Sequence, residues 1–468
     1  MQRRFANLIL AGTLIATPSF AGTIYTREDA VRIALEKSSD IKTAEQNMKS
    51  AESKVSGAYG NAYPSIDFSA TYARTFGVSD VRKSTAISDM LHDVDDQNAD
   101  INDKILGSVL DNYAYALSAM GNGYRWGTQV GLTATQILYA QGKVATGVEI
   151  AKAYKRVNEL ALDQTKSDVR YNIETAFDQV LYLDSAVAIY EASIAQATDH
   201  LEYVKQAHEA GLVGELDMVR AQLQVDELTS GLEKTKKNQV IAKNALLNTM
   251  GLPWEEGVDF TGTLRSPDDG SVRFPDTSMN GIRQRRKELA QLRESSSMYK
   301  KNVDIEEGDY RPTVVLGGSI TYQNGQNRVF KWDAPDWDDN INKKVYLNIS
   351  MNLFNGLQTR EKVVQAKSDL RKNQIQQETA ERGIQLELES AVNTWNDAQK
   401  QMDIQKRKVD LAQRTLELTQ VSYEAGKSPQ LDLLDANMSL RNAKLDYMSA
   451  LVDWNKAYDA LLKATGEY

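Results

Sequence analysis

Cysteine is absent from the 468 residues, and histidine and proline are scarce, with three and eight copies. Without cysteine the chain forms neither a disulfide framework nor a cysteine-ligated zinc site, and the scattered His92, His200 and His208 offer little to a metal centre. We therefore expect no metal and no cofactor. The few prolines leave two very long proline-free stretches, which favours a small number of long elements over several globular domains.

Long apolar runs and an excess of positive charge are also missing. The mean hydropathy of −0.48 argues against a polytopic helical membrane protein, which needs repeated runs of about 18 or more apolar residues. Acidic residues outnumber basic ones by 64 to 55, which excludes a basic nucleic-acid-binding protein. The sequence contains no nucleophile with a base, no phosphate-binding loop and no metal cluster, so we expect no enzymatic activity.

The first 21 residues have the layout of a cleavable export signal. Arg3 and Arg4 precede an apolar run over 8–16, and the small residues Ser19 and Ala21 stand just before the predicted cleavage point. The apolar run is too short to span a bilayer. We predict a signal peptide over 1–21 and an exported mature protein.

The sequence consists of two related halves. At an offset of 215 residues, 209–211 matches 424–426, and at an offset of 248 Pro64 matches Pro312. The first half carries extra residues between Tyr72 and Gly131, which marks a loop that tolerates insertion. We predict two repeats joined by a linker, over 22–250, 251–277 and 278–468.

Each repeat is predicted to contain the same elements in the same order. A helix over 26–61 or 278–309 is followed by two strands, a long helix, a tight turn and a second helix. The strands are predicted over 65–74, 126–138, 313–322 and 345–354. The remaining pairs are the long helices over 144–210 and 359–425, the turns over 211–214 and 426–429, and the second helices over 215–250 and 430–464.

The long helices carry an apolar seam with the spacing of a coiled coil. Steps of four and three residues from Val169 to His208 meet an apolar residue everywhere except at the last position, and the same steps recur from Ile384 to Tyr423 with two exceptions. This repeat predicts a left-handed coiled coil roughly 100 Å long. A simple two-helix rod accounts for the seam equally well.

The predicted strands alternate apolar and polar residues over about ten positions. Ile66, Phe68 and Tyr72 alternate with polar neighbours, and 345–354 follows the same pattern. Transmembrane strands with lipid on one side and water on the other have this pattern, and so does a soluble sandwich packed on a core. Four strands are too few to close a barrel, and lipid forbids an open edge, so several chains must share one barrel.

Residues 89–103 hold six aspartates. Their spacing lacks the glycine and the terminal glutamate of an EF-hand loop, although cation binding stays conceivable. We therefore expect a solvated surface loop here and at 332–339.

The export signal, the duplicated strand-and-helix unit and a turn of the form Gly-x-x-x-x-Leu-Asp resemble the TolC family of outer-membrane efflux ducts. The resemblance is strongest over 423–436 and over its first-half counterpart, 208–219. It implies a mainly α fold with a β-barrel portion, in a homotrimer with a shared twelve-stranded outer-membrane barrel and a periplasmic coiled-coil tunnel. The implied partners are a periplasmic adaptor (membrane-fusion) protein, an inner-membrane transporter and outer-membrane lipid.

The resemblance also implies that the two turns contact the adaptor. The residues concerned are Gly211, Leu212, Val213, Gly214, Leu216, Gly426, Lys427, Ser428, Pro429 and Leu431. Turn chemistry alone explains the same residue types, because glycine ends a helix and Ser428-Pro429 has the form of an N-cap followed by proline at the first helical position.

The implied periplasmic entrance is narrowed by Asp432 and Asp435, whose three copies would form an acidic ring that favours cations. An aspartate in the first turn of a helix also simply complements the helix dipole. Asp217 matches Asp432, but Arg220 replaces the second aspartate, and we hypothesise an Arg220 salt bridge that holds the closed hairpins together. His208 is a candidate pH sensor, although packing in the seam accounts for it as well.

The implied function is an outer-membrane exit duct that conducts substrates from the adaptor and transporter to the outside, gated by untwisting of the periplasmic hairpins. Efflux of small molecules and type I protein secretion share this architecture, and the sequence does not separate them. An exported coiled-coil adhesin or scaffold without channel activity is the alternative.

Overall fold

The computed structural model describes residues 23–77, 100–121, 126–255, 257–267, 270, 272–326 and 340–468. The predicted export signal over 1–21, the acidic segment 332–339 and residues 89–99 lie outside these ranges. In chain order, the elements are β1 (Ile24–Tyr25), α1 (Arg27–Lys37), α2 (Ser39–Gly60), β2 (Ser65–Arg74), α3 (Ile101–Gly121), β3 (Trp126–Ala140), α4 (Lys143–Glu209), α5 (Glu215–Thr249), β4 (Asp259–Phe260), α6 (Met279–Arg285), α7 (Lys287–Gly308), β5 (Thr313–Gln326), β6 (Ile341–Ser350), α8 (Gln358–Glu424) and α9 (Gln430–Thr465).

The chain forms two compact units. The helical unit holds the described residues of Met1–Ala51, Tyr154–Ser296 and Lys372–Tyr468, and the sheet unit holds those of Glu52–Ala153 and Ser297–Arg371. Among the described helices, none has both the length and the apolar character required to cross a membrane.

The helical unit has its main core along the predicted seam. Val169, Ile173 and Val180 of α4 are buried in it, together with Phe177 and with Trp454 of α9. The seam is also buried near the C-terminal end of α4, where Leu201 and Val204 pack with Ala221 of α5. The apolar seam of the first long helix therefore packs as the heptad spacing predicts.

The first helix of each half is divided in two, where a single helix was predicted over 26–61 and over 278–309. At Ser38 the backbone turns out of the helix with ψ 136°, and the Ser38 hydroxyl accepts a hydrogen bond from the Asp40 N–H at 3.3 Å. At Arg286 the backbone is extended, with ψ 118°. Because apolar periodicity continues through a one-residue break, the pattern did not reveal either break.

The helix α3 lies in the segment predicted as a variable loop. The Asp100 carboxylate accepts hydrogen bonds from the N–H groups of Asn102 and Asp103, and the Asp103 carboxylate accepts one from the Asp100 N–H. These reciprocal bonds cap the start of a helix. The aspartates of 100–103 thus begin a helix, and the expectation of a loop through 103 was wrong.

The sheet unit contains one antiparallel sheet with the strand order β2-β3-β5-β6. One face is apolar and exposed: Phe68 of β2 pairs with Leu132, which pairs with Ile320 of β5. The opposite face carries polar side chains, including Asp67 and Lys344. The alternation seen in the sequence therefore corresponds to two distinct faces of one sheet.

The last strand begins and ends four residues earlier than predicted, over Ile341–Ser350 in place of 345–354. Ser350 pairs with Thr313, so the next residue, Met351, would have to pair with Pro312. Proline has no N–H to donate, and the ladder stops there. The alternation over 351–354 therefore continues beyond the end of the pairing.

Candidate functional site at the helix hairpin tips

The two helix hairpins of the helical unit end in the same type of turn. Gly211 and Gly426 adopt left-handed backbone conformations, with φ 74° and 68°. After the first long helix, the Gly211 N–H donates to the His208 carbonyl and the Leu212 N–H to the Ala207 carbonyl, both at 2.8 Å. The equivalent bonds follow α8, both at 2.9 Å. This arrangement is the Schellman motif, in which glycine accepts a conformation that costs other residues free energy.

The two turns differ where the next helix begins. Gly214 precedes α5 and Pro429 precedes α9, and neither provides a side-chain cap. Pro429 has an extended ψ of 158°, so it is the N-cap residue of α9. The prediction that Pro429 is the first helical residue was wrong. Ser428 consequently lies one position before the cap, and its hydroxyl donates to the Asp432 carboxylate at 2.9 Å.

Three leucines near the tips expose their side chains. The relative exposures are 79% for Leu212, 60% for Leu216 and 46% for Leu431. Val213 differs, because its side chain packs with Leu201 and Val204. These leucines, together with the exposed Val219 of α5 and Val421 of α8, present apolar surface to a partner.

His208 contacts the first turn and not a neighbouring charge. Its Nδ1 lies 3.0 Å from the Val213 carbonyl oxygen, which can only accept, so the ring donates a proton at this nitrogen. The contact closes the turn over 208–213. Packing within the turn thus accounts for this histidine.

The four predicted entrance residues lie at the starts of α5 and α9. Asp432 and Asp435 are exposed on α9. Arg220 and Asp217 are half-buried on α5, with Arg220 Nη1 3.9 Å from Asp217 Oδ1. Within one chain, this ion pair therefore joins successive turns of one helix and does not join the two hairpins.

A residue that the sequence analysis missed connects the hairpins. Gln430, the first residue of α9, is 6% exposed, and its Nε2 donates to the Asp217 carbonyl at 3.1 Å. The same Nε2 lies 3.2 Å from Nε2 of His200 on α4, and the His200 ring packs edge-on against Tyr423 with centroids 5.8 Å apart. Burial lowers the pKa of His200, which favours the neutral ring that accepts this hydrogen bond. The only signal in the sequence was that Gln430 matches the charged Glu215 in the first half.

Metal ligation finds no support around the tips. Over the described ranges, no three His, Asp or Glu side chains cluster in a way that would hold a metal ion. Apart from Gln430 and its contacts, the site consists of exposed leucines, the exposed Asp432 and Asp435, the half-buried pair of Arg220 and Asp217, and closed turns.

Comparisons with known proteins match this architecture. The profile of the family described as "Outer membrane efflux protein" matches residues 30–252 and 279–467. Nodulation protein T of Rhizobium leguminosarum bv. trifolii is 24% identical over 348 residues, which covers 73% of this chain and 72% of that protein. The outer membrane protein TolC of Vibrio cholerae is 22% identical over 348 residues, which covers 71% of this chain and 76% of that protein.

Among solved structures, the outer membrane channel CmeC of Campylobacter jejuni has the same fold. The two superpose with a TM-score of 0.73 at 14% identity, over 100% of this chain and 93% of that one. The family match includes both hairpins and all four long strands of the sheet. The chain therefore belongs to the outer membrane efflux protein family and is a protein of the outer membrane.

Proposed function

We propose that this protein is an outer-membrane exit duct, formed by three copies of the chain, that conducts substrates from the periplasm to the outside. The proposal rests on two features that this member of the family combines. Its sheet has one exposed apolar face, and its two helix hairpins have exposed apolar tips. Lipid suits the first feature, and a protein partner in the periplasm suits the second.

Family membership implies three copies, and the number of strands in the sheet agrees with it. A four-stranded sheet leaves two edges whose backbone groups lack partners within the sheet, and such edges are too costly in lipid. Four strands from each of three copies give twelve, which is enough to enclose a water-filled lumen. The polar face that carries Asp67 and Lys344 would then line that lumen.

The hairpins would form the gate of the duct. In the proposed closed state, Gln430 holds the second hairpin against the first, and the exposed Asp432 and Asp435 of three copies narrow the entrance. Arg220 is positioned near the tip to pair with an acid of a neighbouring hairpin in addition to Asp217. Untwisting of one hairpin would separate these groups and open the entrance.

The partners that fit are a periplasmic adaptor, which would dock on the tip leucines, and an inner-membrane transporter behind it. Family membership favours efflux of small molecules, and type I protein secretion would use the same duct. This proposal includes the predicted signal peptide over 1–21, the two repeats over 22–250 and 278–468, and the linker over 251–277.

The test of the duct is reconstitution of the purified protein in planar bilayers. We expect extraction from the outer membrane to require detergent, a trimer in cross-linking, and single channels that open in steps. An adhesin or scaffold would leave the cell envelope without detergent and would conduct no ions, and that result would overturn the proposal. Capture of the adaptor and transporter after in vivo cross-linking at Leu212 or Lys427 tests the partners.

The test of the Arg220 latch is the Arg220→Ala variant. We expect a higher single-channel conductance and greater sensitivity of cells to bulky antibiotics, because an ion pair of the closed gate is lost. Arg382→Ala, which removes an exposed arginine from α8, is the matched control. Unchanged conductance in Arg220→Ala would refute the latch without touching the duct itself.

A further inference from the structure

The apolar face of the sheet carries two positive charges. Arg74 of β2 lies on the same face as Phe68, because the two are six residues apart and β2 pairs without a register shift. Lys343 of β6 lies opposite Ile320, which belongs to the row of Phe68. Both side chains are exposed. Among the described residues of the four long strands, no acidic side chain lies on this face, so the face is positively charged.

Both cations lie toward the end of the sheet that is far from the helices. The strands join the helices at Ser65 and Ser350, and Arg74 and Lys343 lie nine and seven residues from these ends. With a rise of about 3.3 Å per residue and a strand tilt of about 40°, the two heights are about 23 Å and about 18 Å. The apolar band of an outer-membrane barrel is about 25 Å tall. Because the helical tunnel of the proposed duct lies in the periplasm, both cations are near the outer surface of the membrane.

Aromatic rings hold Arg74 in place. Its guanidinium carbon lies 4.9 Å from the ring centroid of Trp126 and 4.6 Å from that of Phe76. Trp126 in turn stacks on Tyr72, with centroids 5.4 Å apart. A guanidinium packed on rings keeps its N–H edges available, and this planar fork matches two oxygens of a phosphate group.

The two ends of the apolar face differ in polarity. Beside the cations, Thr128 of β3 and Asn324 and Gln326 of β5 stand on this face. At the end that joins the helices, exposed residues such as Leu316 and Ile349 keep the face apolar. The cations therefore mark the outer boundary of the apolar face, where lipid headgroups would begin.

Arg74 and Lys343 stand on the two outer strands of the sheet, with two strands between them in one copy. In the proposed trimer, β2 of one copy is next to β6 of the following copy. Arg74 and Lys343 of different copies then lie on adjacent strands about 4.8 Å apart, and their heights differ by about 5 Å. Their side chains can therefore reach the same phosphate group.

Lipid phosphate accounts for both cations together. Ring contacts explain the position of Arg74 but not that of Lys343. A lysine in an apolar, lipid-facing surface is costly, and its long side chain relieves the cost by reaching the headgroups. The headgroups at this level belong to the outer leaflet, where lipid A, the anchor of lipopolysaccharide, carries phosphate groups.

We propose that Arg74 of one copy and Lys343 of the next bind a phosphate group of lipid A in the outer leaflet of the membrane. The ring of Trp126 orients the guanidinium, and the acyl chains of the lipid lie along the apolar rows below it. A trimer holds up to three such lipids, and the site rests on the proposed trimeric duct.

Retention of defined lipids by the purified trimer tests the site. The double variant Arg74→Gln with Lys343→Gln removes both charges and keeps side chains that form hydrogen bonds. Lys344→Gln, which removes a cation from the opposite face at the neighbouring position of β6, is the matched control. Each protein is incubated with bisphosphoryl lipid A, with lipid A that has lost both phosphates, or with phosphatidylglycerol, and native mass spectrometry counts the bound lipids.

We expect the native protein and Lys344→Gln to retain up to three molecules of bisphosphoryl lipid A per trimer, and the double variant to retain several-fold less. Lipid A without phosphates should bind all three proteins equally weakly. Equal retention of bisphosphoryl lipid A by the native protein and the double variant would overturn the proposal. Retention of phosphatidylglycerol as strong as that of lipid A would also overturn it.

Channel measurements separate this site from the proposed function. In phospholipid bilayers the double variant should conduct like the native protein, because neither side chain faces the proposed lumen. A double variant that conducts and still retains lipid A would refute only the site, whereas a native protein that is a monomer without conductance would refute the duct itself. The single variants Arg74→Gln and Lys343→Gln, each expected to lose part of the binding, repeat the test if the double variant does not assemble.

Discussion

At the scale of single residues, a buried ion network joins the linker to the long helices. Arg265 Nη2 lies 2.6 Å from a carboxylate oxygen of Asp459, which is fully buried, and 3.8 Å from Glu174. Burial raises the pKa of Asp459 to about 6, although the hydrogen bond from Arg265 opposes the shift. A raised folded-state pKa means that the contribution of Asp459 to stability is present below about pH 4 and is lost as the pH rises through about 6.

Removal of the cation in Arg265→Met should therefore destabilise the protein most at high pH. With Arg265 removed, Asp459 loses its ion-pair partner and is an unpaired buried charge at pH 8, which costs about 3–5 kcal/mol, and it takes up a proton at pH 5. We expect the loss in melting temperature relative to the native protein to be clearly larger at pH 8 than at pH 5.

Two controls accompany that measurement. Arg265→Lys keeps the charge and should recover part of the loss. Arg414→Met breaks an exposed pair with Glu417 and should shift the melting temperature little, since such pairs contribute about 0–1 kcal/mol. An equal loss in melting temperature for Arg265→Met at pH 5 and pH 8 would contradict the raised pKa of Asp459.

The turn glycine Gly426 offers a second residue-scale prediction. Its φ of 68° is left-handed, so Gly426→Ala should cost about 1–2 kcal/mol. Gly383 lies inside α8 with open space around its α-carbon, and Gly383→Ala should stabilise by about 0.5–1 kcal/mol. Thermal unfolding followed by circular dichroism compares the stabilities of the two variants. If both substitutions change the stability in the same direction, the turn does not impose the left-handed conformation on residue 426.

At the scale of elements, the hairpins are joined through one buried amide. Gln430→Leu removes the donor to the Asp217 carbonyl and leaves that carbonyl without this partner, at a cost of about 1–3 kcal/mol. If the second hairpin moves during opening, the variant should open more often in planar bilayers. Gln413→Leu, which removes an exposed amide that donates along α8 to Glu417, is the matched control. Equal open probabilities for both variants would exclude a role of Gln430 in the gate.

Elements also differ in how far local sequence decides them. The long helices, the turns and three of the four strand starts in the sheet were predicted to within about one residue, because apolar spacing and glycine act locally. The breaks at Ser38 and Arg286 and the helix α3 were missed. A helix break depends on which residue caps the next helix. The apolar pattern is the same before and after the break, so the pattern does not reveal it.

At the scale of the whole molecule, threefold symmetry would bring Asp432 and Asp435 of three copies together at the entrance. Asp432→Asn combined with Asp435→Asn should lower cation selectivity and weaken block by divalent cations at the periplasmic side, because the acidic ring is neutralised. The check is the reversal potential under a salt gradient, with exposed Asp410→Asn as the control. Selectivity equal to that of the native channel would place these residues away from the pore axis.

The sequence by itself determined the local features of this protein: the duplicated plan, the coiled-coil seam, the alternating strands and the glycine turns. Each depends on spacing along the chain, which elementary geometry converts into a face or a turn. Only the tertiary structure decided which distant groups meet. Gln430 contacts His200 and Asp217 more than 200 residues away, and Arg265 contacts Asp459 at a separation of 194 residues. Such contacts arise because packed helices bury particular polar groups, and burial then requires a partner for each of them.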